Sequence, residues 1–246
     1  MSGIIINPYR FGASFENTYS MNFDGVDDYF DASTYTGIDG TDTFSISMWV
    51  KIPSGGGGYV VGKNHSSSYW SRRFSEYITE STIEVYTYAL AFRNTGLSLA
   101  TDTWMHLVMS IDRGEAVQLD RCKIYLDGVA VTNVSNANFG QVTVDASPLI
   151  LGARQVGTSS PVINVPFEGN IDEISIWSNT LTSAEAVALY NSGTPTNLTG
   201  ESGLINWWRM GEEGTFSTNW TLTDQAGSNN AVSANMIEAD RESDTP

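Results

Sequence analysis

The sequence predicts an all-β fold, a two-sheet jelly-roll β-sandwich with one short helix. Three observations lead to this prediction: apolar residues alternate with polar ones along several segments, turn residues separate those segments, and only 16% of the residues are charged. The chain has 246 residues, of which 23 are Gly and 41% are hydrophobic. That length and composition suit one large, loop-rich β domain.

The clearest alternation lies in the segments FSISMWVKI and WMHLVMSID. Successive side chains of a strand point to opposite faces, so one face of each strand is expected to contact the core. The expected core residues are Phe44, Ile46, Met48, Val50, Ile52, Met105, Leu107, Met109 and Ile111. Further strands are predicted in IEVYTYALAF, CKIYLDGVAV and PLILGAR, and Asp127-Gly128 in the second of these is a strong hairpin signal.

One helix is predicted, after the segment NIDEISIW. Thr182 can act as its N-cap, and Glu185 lies three residues further on, which together make a capping box. Residues 184–190 have good helix propensity or apolar spacing, and Gly193 is expected to stop the helix.

The pattern divides the chain into three parts. Residues 1–15 form a short apolar arm, residues 16–196 the β-sandwich, and residues 197–246 a C-terminal extension with a strand and a flexible acidic tail. The arm is too short to form a core of its own. It is expected to add an edge strand either to its own sheet or to a neighbouring subunit.

The net charge of −16 limits the partners of the chain. It disfavours nucleic acids and anionic membrane surfaces, whereas it can supply oxygen ligands to hard cations. No segment approaches the ~18 apolar residues of a membrane span. The start, MSGIIINPYRFGASF, lacks the features of a signal peptide, so synthesis in a cytoplasm without membrane insertion is expected.

A thiol nucleophile is not expected. Cys122 is the single cysteine, and its alternation with Ile124 and Leu126 places it on a core face. The two histidines are His65 and His106, and nothing in the sequence pairs either of them with this thiol.

Six segments, taken in order, resemble a laminin G-like domain of the concanavalin A-like lectin/glucanase superfamily. They are MNFDGVDDYFDA, FSISMWVK, TWMHLVMSID, KIYLDGVAV, LILGA and FEGNIDEISIWSNTLTSAEAVALYNSG, within residues 18–193. The resemblance implies a jelly roll in which the first strand lies beside a late one. Outside this region, IIINPYRF and NWWRMGEEG…DQAGSNN resemble virion proteins of marine bacteriophages, which often carry such a module.

These resemblances imply a non-enzymatic structural or decoration protein of a bacteriophage virion. Its lectin-like module would serve assembly, with other virion subunits or a second copy, or contact with host-surface glycans. Such a protein is made in the host cytoplasm and released by lysis, which agrees with the lack of an export signal. The alternatives are a stand-alone carbohydrate-binding or adhesion module outside the cell and, less favoured, a glycoside hydrolase.

The hydrolase alternative depends on the acids of NIDEISIW. Glucanases of the superfamily place two glutamates on one strand face around a central aspartate. If Asp172 were that aspartate, its neighbours on the same face would be Asn170 and Ile174, which cannot act as acid or base. Glu173 would likewise be flanked by Ile171 and Ser175. Strict alternation therefore predicts no catalytic pair.

Alternation also predicts that Asp172 lies on the apolar face with Ile174 and Ile176, while Glu173 faces out. A carboxylate there must be paired or coordinated. The family resemblance implies that the acids of FDGVDD lie close to it and that calcium is often held in that region. Two interpretations remain open: a lock on the turn after Gly169, and a structural Ca²⁺ site. The ligands of the latter would be Asp24, Asp27, Asp28 and Asp172.

The segment NHSSSYWSRRF is the most distinctive candidate contact surface. It groups aromatic and basic side chains in a chain with only 12 basic residues. Trp, Tyr and Arg are enriched where proteins bind their partners. We predict that a glycan or another protein contacts Tyr69, Trp70, Arg72 and Arg73. Trp49 and Trp177 are instead expected to pack as a second, smaller core.

Overall fold

The computed structural model describes residues 15–64, 72–87, 91–94, 96–131, 147–156 and 162–246. Within these ranges the chain forms nineteen β-strands and one α-helix, and the predicted all-β class is confirmed. The strands are β1 (Ser20–Asp24), β2 (Tyr29–Thr34), β3 (Thr43–Lys51), β4 (Gly57–Asn64), β5 (Arg72–Thr79), β6 (Thr82–Thr87), β7 (Ala91–Asn94), β8 (Met105–Asp112), β9 (Cys122–Leu126), β10 (Val129–Ala130), β11 (Pro148–Leu151), β12 (Arg154–Val156), β13 (Val162–Asn164), β14 (Glu168–Trp177), β15 (Leu204–Trp208), β16 (Gly214–Phe216), β17 (Trp220–Leu222), β18 (Ala231–Ala234) and β19 (Arg241–Glu242), and the helix is α1 (Ser183–Tyr190).

Seventeen of the described strands form two antiparallel layers, and β12 and β13 pair with each other as a separate hairpin. In sheet A, β3 pairs with one edge of β14, while β1 and then β15 pair with the other edge. Sheet A continues through β8, β9 and β10 beyond β3, and through β19 beyond β1. Sheet B has the order β7-β6-β5-β4-β11-β2-β18-β17-β16. The layers meet where Gly57 pairs with Glu168.

The core lies between the two sheets. All nine apolar residues that alternation assigns to the core of β3, β8 and the residue after β3 are buried there. Cys122 is fully buried in the same cluster, as predicted. The strand pattern with period 2 therefore identifies the inner face of sheet A correctly.

The predicted turn signals are also confirmed. Asp127 and Gly128 have φ of 50° and 76° and connect β9 to β10, as a two-residue hairpin requires. Thr182 and Glu185 form the capping box of α1. The helix ends at Tyr190, the last of the residues predicted for it, but the left-handed residue that stops it is Asn191, with φ of 44°, two residues before the predicted Gly193.

The segment IEVYTYALAF is two strands rather than one. Thr82–Thr87 and Ala91–Asn94 pair antiparallel as β6 and β7 at the edge of sheet B. Residues 88–90, between these two strands, lie outside the described ranges.

The last fifty residues belong to both sheets, so the expected boundary at residue 196 is not a structural boundary. β15 and β19 extend sheet A, and β18, β17 and β16 extend sheet B. Trp208 and Trp220 are almost completely buried in the core. The expected flexible tail is held as well, since Asp244 pairs with Lys51 and accepts a 3.0 Å hydrogen bond from Trp104 Nε1.

A single carboxylate organises the DQAGSNN loop. Asp224 Oδ1 accepts hydrogen bonds from the backbone N–H groups of Trp207, Ala226 and Gly227 at 2.9–3.1 Å. Its Oδ2 accepts from Asn206 Nδ2 and from the backbone N–H of Asn229. The hydrogen bonds of Asp224 therefore join the DQAGSNN loop to β15.

Candidate functional site

The outer face of sheet A is covered by the chain itself. A second apolar cluster lies between this face and α1, and it contains Trp177, Trp207, Leu189 and Leu198. Trp49, 3% exposed, packs on His106 and Tyr190 nearby. The prediction that these two tryptophans pack as a second, smaller core is confirmed for Trp177, whereas Trp49 is buried outside that cluster.

Strand β14 contains a β-bulge, which corrects the predicted orientation of its acids. Asp172 pairs with Trp49 and Ser175 with Ser47, so two residues of β14 lie opposite one residue of β3. Glu173, with φ of 51°, is part of this irregularity. As a result, Ile171, Ile174 and Ile176 share the core while Asp172 lies on the outer face of sheet A, beside the second cluster.

The bulge brings together the two carboxylates of β14 that alternation had separated, and a third joins them from the segment after β15. Oxygens of Asp172, Glu173 and Glu212 lie within 4.8 Å of one another. Asp172 accepts hydrogen bonds at 2.8 Å from its neighbour's backbone N–H and from Asn17 Nδ2. Arg209 Nε lies 3.1 Å from Glu173 Oε1. The predicted lock on the turn after Gly169 is therefore a lock on the bulge instead.

This cluster also holds the segment 15–19 against sheet A. Glu212 Oε1 accepts hydrogen bonds from the backbone N–H groups of Thr18 and Tyr19. Burial raises the pKa of Glu173 to about 7, against the lowering effect of Arg209, and burial with the neighbouring charge raises that of Asp172 well above its usual range. Asp172 and Glu173 are at most 5% exposed and Glu212 is half-buried, so the three acids form a largely buried structural cluster. Residues 1–14 of the expected arm lie outside the described ranges.

A serine–histidine pair is sealed under α1. Ser47 Oγ lies 2.8 Å from His106 Nε2, the distance that nucleophile activation requires. However, the two residues are only 3% and 2% exposed, and burial lowers the pKa of the histidine to about 3. Trp49 and Tyr190 pack on the imidazole, so substrate has no path to this pair.

The loop between β1 and β2 groups three of the four predicted calcium ligands. Carboxylate oxygens of Asp24, Asp27 and Asp28 lie within 4.8 Å of one another. Asp28 is 4% exposed, and burial together with the charges of Asp24, Asp240 and Asp27 raises its pKa to about 6. Such a set of oxygen donors suits a hard divalent cation, which would relieve this repulsion.

Asp172 is not part of that group. Asp24 pairs with Glu168 across β1 and β14, and Asp172 lies four residues further along β14. At a rise of about 3.3 Å per residue, the two aspartates are separated by roughly 13 Å along the strand. The four predicted ligands therefore divide between two clusters.

The outer face of sheet B carries tyrosines on three adjacent strands. Tyr59 on β4 lies opposite Tyr77 on β5, and their ring centroids are 5.0 Å apart. Tyr86 on β6 lies 6.4 Å from the ring of Tyr59. Arg154 packs 4.5 Å above the Tyr59 ring and donates a 2.9 Å hydrogen bond to its hydroxyl. Tyr86 also donates to Glu84. We call Tyr59, Tyr77, Glu84, Tyr86 and Arg154 the tyrosine face.

Exposure distinguishes these residues. Tyr59 and Arg154 are buried and support the others, whereas Tyr77, Glu84 and Tyr86 are half-buried and reach the surface. Of the predicted contact residues, Tyr69 and Trp70 lie outside the described ranges, and Arg72 and Arg73 begin β5, the strand that carries Tyr77. The predicted contact segment thus leads directly into the tyrosine face.

The sequence contained part of the signal for this face. In SEYITESTIEVY, the polar positions of two strands alternate with Ile78, Ile83 and Val85, so Tyr77 and Tyr86 share the non-core side. The contributions of Tyr59 and Arg154 could not be inferred, because they depend on which strands are neighbours in sheet B.

The chain belongs to the concanavalin A-like lectin/glucanases superfamily. The laminin G family model of that superfamily matches residues 24–187, about two thirds of the chain. The matched region includes the tyrosine face, the Asp24–Asp28 loop and most of α1.

Among curated proteins, adhesion G-protein coupled receptor V1 of Danio rerio is 22% identical over 182 residues. The alignment covers 70% of this chain but only 3% of that receptor.

Several solved structures have a fold similar to that of this chain. A candidate carbohydrate binding protein from Bacteroides ovatus superposes with a TM-score of 0.64 and 15% identity, over 93% of this chain and 60% of that one. A heptameric SAP-like pentraxin from Limulus polyphemus has a TM-score of 0.57 and 13% identity, over 77% of this chain and 92% of that one. The CBM40 of a Ruminococcus gnavus sialidase, bound to α2,3-sialyllactose, has a TM-score of 0.53 and 12% identity, over 70% of this chain and 97% of that one.

None of the helices in the described ranges has the length and hydropathy of a membrane span.

Proposed function

We propose that this chain is a non-catalytic, lectin-like module that binds a glycan on the outer face of sheet B. The observation that carries the proposal is the tyrosine face. Its half-buried rings offer flat apolar surface to the C–H faces of a sugar, and the Glu84 carboxylate can accept bonds from sugar hydroxyls. Tyr59 and Arg154 underneath hold the surface in shape.

Two features favour binding over catalysis. The acids at the bulge of β14, Asp172 and Glu173, are buried beside residues 15–19, and together with Glu212 they are occupied by structural bonds. In addition, solved structures of similar fold include the sialyllactose-bound CBM40 and the candidate carbohydrate binding protein. What those proteins bind supports a glycan as the class of ligand for this chain.

Substitution on the tyrosine face tests the proposal. We expect Tyr77→Ala and Tyr86→Ala each to weaken glycan binding at least about tenfold, since each removes a stacking surface worth about 1.4 kcal/mol or more. Binding would be measured by glycan array and then by calorimetry on the best glycan.

Tyr29→Ala is the matched control. This residue is also half-buried, but it lies on β2, which is two strands from β4 in sheet B. Equal loss of affinity in all three variants would point to general destabilisation. Full affinity in both tyrosine-face variants would place the glycan elsewhere and sink the proposal.

We further propose that the Asp24–Asp28 loop holds a structural Ca²⁺. Asp24, Asp27 and Asp28 would be the ligands, and backbone carbonyls would complete the six to eight oxygens that calcium prefers. Ca²⁺ at 100 times its Kd should raise Tm by about 5 °C or more, and chelator should reverse the rise.

Two variants, each with one aspartate replaced by asparagine, provide the test of this site and its control. Asp27→Asn should abolish the calcium-dependent rise in Tm, whereas Asp120→Asn, on an exposed residue of another loop, should retain it. A Tm that is the same in calcium and in excess chelator would exclude a structural Ca²⁺ in this loop.

The setting we propose is a bacteriophage particle, where the module decorates the virion and contacts host-surface glycans, other virion subunits or a second copy. The support is the resemblance of IIINPYRF and NWWRMGEEG…DQAGSNN to phage virion proteins. Mass spectrometry of density-purified particles from a culture that expresses the gene would detect the chain at a constant ratio to the capsid protein. Recovery of the chain only in the particle-free fraction would favour a stand-alone adhesion module.

A further inference from the structure

A cavity lies on the opposite side of the molecule from the tyrosine face. It has a volume of about 310 Å³ and lies between the segment before α1 and residues 110–125 of sheet A. Tyr125 and Leu181, both buried, contribute apolar surface to its lining. Asp112, Glu115 and Asp120 contribute carboxylates. The cavity therefore has an apolar inner wall and an acidic rim.

The charges of the rim do not cancel. Three carboxylates line the cavity against one ammonium group, that of Lys123. Of the nearby guanidinium groups, Arg113 pairs with Asp42, and Arg121 Nε donates a 2.9 Å hydrogen bond to the backbone carbonyl of Glu115. A bond to a neutral carbonyl leaves the charge of Arg121 in place, so among the described residues the three carboxylates outnumber the cations of Lys123 and Arg121 by one. The rim thus keeps a small negative charge that faces solvent.

Exposed apolar side chains lie on the chain segments that line the cavity or adjoin them. Val117 and Leu119, between the rim acids Glu115 and Asp120 in the sequence, are 55% and 45% exposed. Val187, four residues after the lining residue Ser183, and Val129, in the hairpin that follows Tyr125, are 54% and 69% exposed. Apolar side chains around a polar pocket are typical of surfaces that bind proteins.

We propose that this surface docks a partner protein which inserts an arginine side chain into the cavity. The methylene stem would pack on Tyr125 and Leu181, while the guanidinium would bond to the carboxylates of Glu115 and Asp120. Arginine is a frequent anchor of interfaces, and its planar fork matches carboxylates. A second copy of this chain, with net charge −16, is repelled on average, so the charge favours a partner with a basic surface.

The probe for this docking site is Nα-acetyl-L-arginine amide, titrated against the ¹⁵N-labelled full chain and followed by NMR. Nα-acetyl-L-citrulline amide is the matched neutral probe, because it has nearly the same shape without the charge. We expect saturable shifts of amide signals from residues 110–125 and 180–183 at millimolar arginine probe, and at least threefold weaker binding of the citrulline probe.

Two double variants complete the test. Glu115→Gln with Asp120→Asn should abolish the saturable shifts, whereas Glu213→Gln with Glu238→Gln removes two exposed charges elsewhere and should retain them. Asp120, Glu213 and Glu238 are exposed and Glu115 is half-buried, so the NMR spectra of both variants should keep the dispersion of the native fold. Equal binding of both probes, shifts spread over the whole acidic surface, or unchanged binding by the first variant would overturn the proposal.

Discussion

Glu76 places a carboxyl group inside the core between the two sheets. It lies on β5 between Phe74 and Ile78, and its cross-strand neighbours are Val61 and Val85. The side chain is fully buried, and neither carboxyl oxygen has a hydrogen-bond partner within the described part of the chain. Burial raises its pKa to about 8, so the group is uncharged at neutral pH.

This residue should make the free energy of unfolding depend on pH. The folded state holds the Glu76 proton up to about pH 8, whereas the unfolded chain releases it near pH 4.5. Unfolding is therefore favoured increasingly between these pH values, and stability falls by at most about 5 kcal/mol over the window. Glu76→Gln should remove this component.

Urea denaturation at pH 5, 6.5 and 8 would measure the effect. The difference between Glu76→Gln and the parent chain isolates the contribution of one residue, because Asp172 and Glu173 titrate in both proteins. Glu213→Gln, at an exposed position, is the control and should follow the parent curve. Parallel curves for the parent and Glu76→Gln would mean that the carboxyl finds a partner in solution.

At the scale of elements, the sequence predicted those features that depend only on residues close together in the chain. The alternation of β3 and β8, the Asp127-Gly128 turn and the capping box of α1 are each encoded within a few neighbouring residues, and each is confirmed. The bulge of β14 is not encoded in this way. Alternation cannot locate an extra residue, and the partners of Glu173 are Trp207 and Arg209, which follow more than thirty residues later.

The bulge leads to a prediction about single-residue deletions in β14. Removing Glu173 leaves Ile171, Asp172, Ile174, Ser175 and Ile176 in strict alternation, so every remaining side chain keeps its present face. We expect this deletion variant to fold, with a loss of about 2–4 kcal/mol from the bonds to Trp207 and Arg209.

Deletion of Ser175 is the matched control. It removes a smaller side chain, but it turns part of the strand over and moves apolar residues to the wrong face. We expect no cooperative thermal transition by circular dichroism for that variant. Equal stability of the two deletion variants would contradict the assigned register.

At the scale of the whole molecule, the C-terminal fifty residues could not be assigned to the domain from sequence. Their contacts are with β14, β2 and β1, which lie far away along the chain. The family model stops at residue 187, whereas the superposition on the Bacteroides ovatus protein covers 93% of the chain. The tyrosine face was missed for the same reason, since it depends on the order of strands in sheet B.

Truncation tests whether these residues are part of the folding unit. A chain of residues 1–196 lacks β15–β19 and loses Trp208 and Trp220 from the core. Deleting large buried side chains costs about 3–5 kcal/mol each, so the truncated chain should not fold cooperatively. A cooperative melt near the parent Tm would instead support a separable extension.

Among the described residues, the outer faces of the two sheets differ, which gives this sandwich a front and a back. Residues from three distant parts of the chain, α1, 15–19 and the segment around Asp244, cover the outer face of sheet A, and the tyrosine face lies on the other sheet. The acidic cavity beside α1 is consequently separated from the tyrosine face by the whole thickness of the core. Occupants of the two surfaces would not collide, so a module anchored by its back could present its front to a cell surface without releasing its anchor.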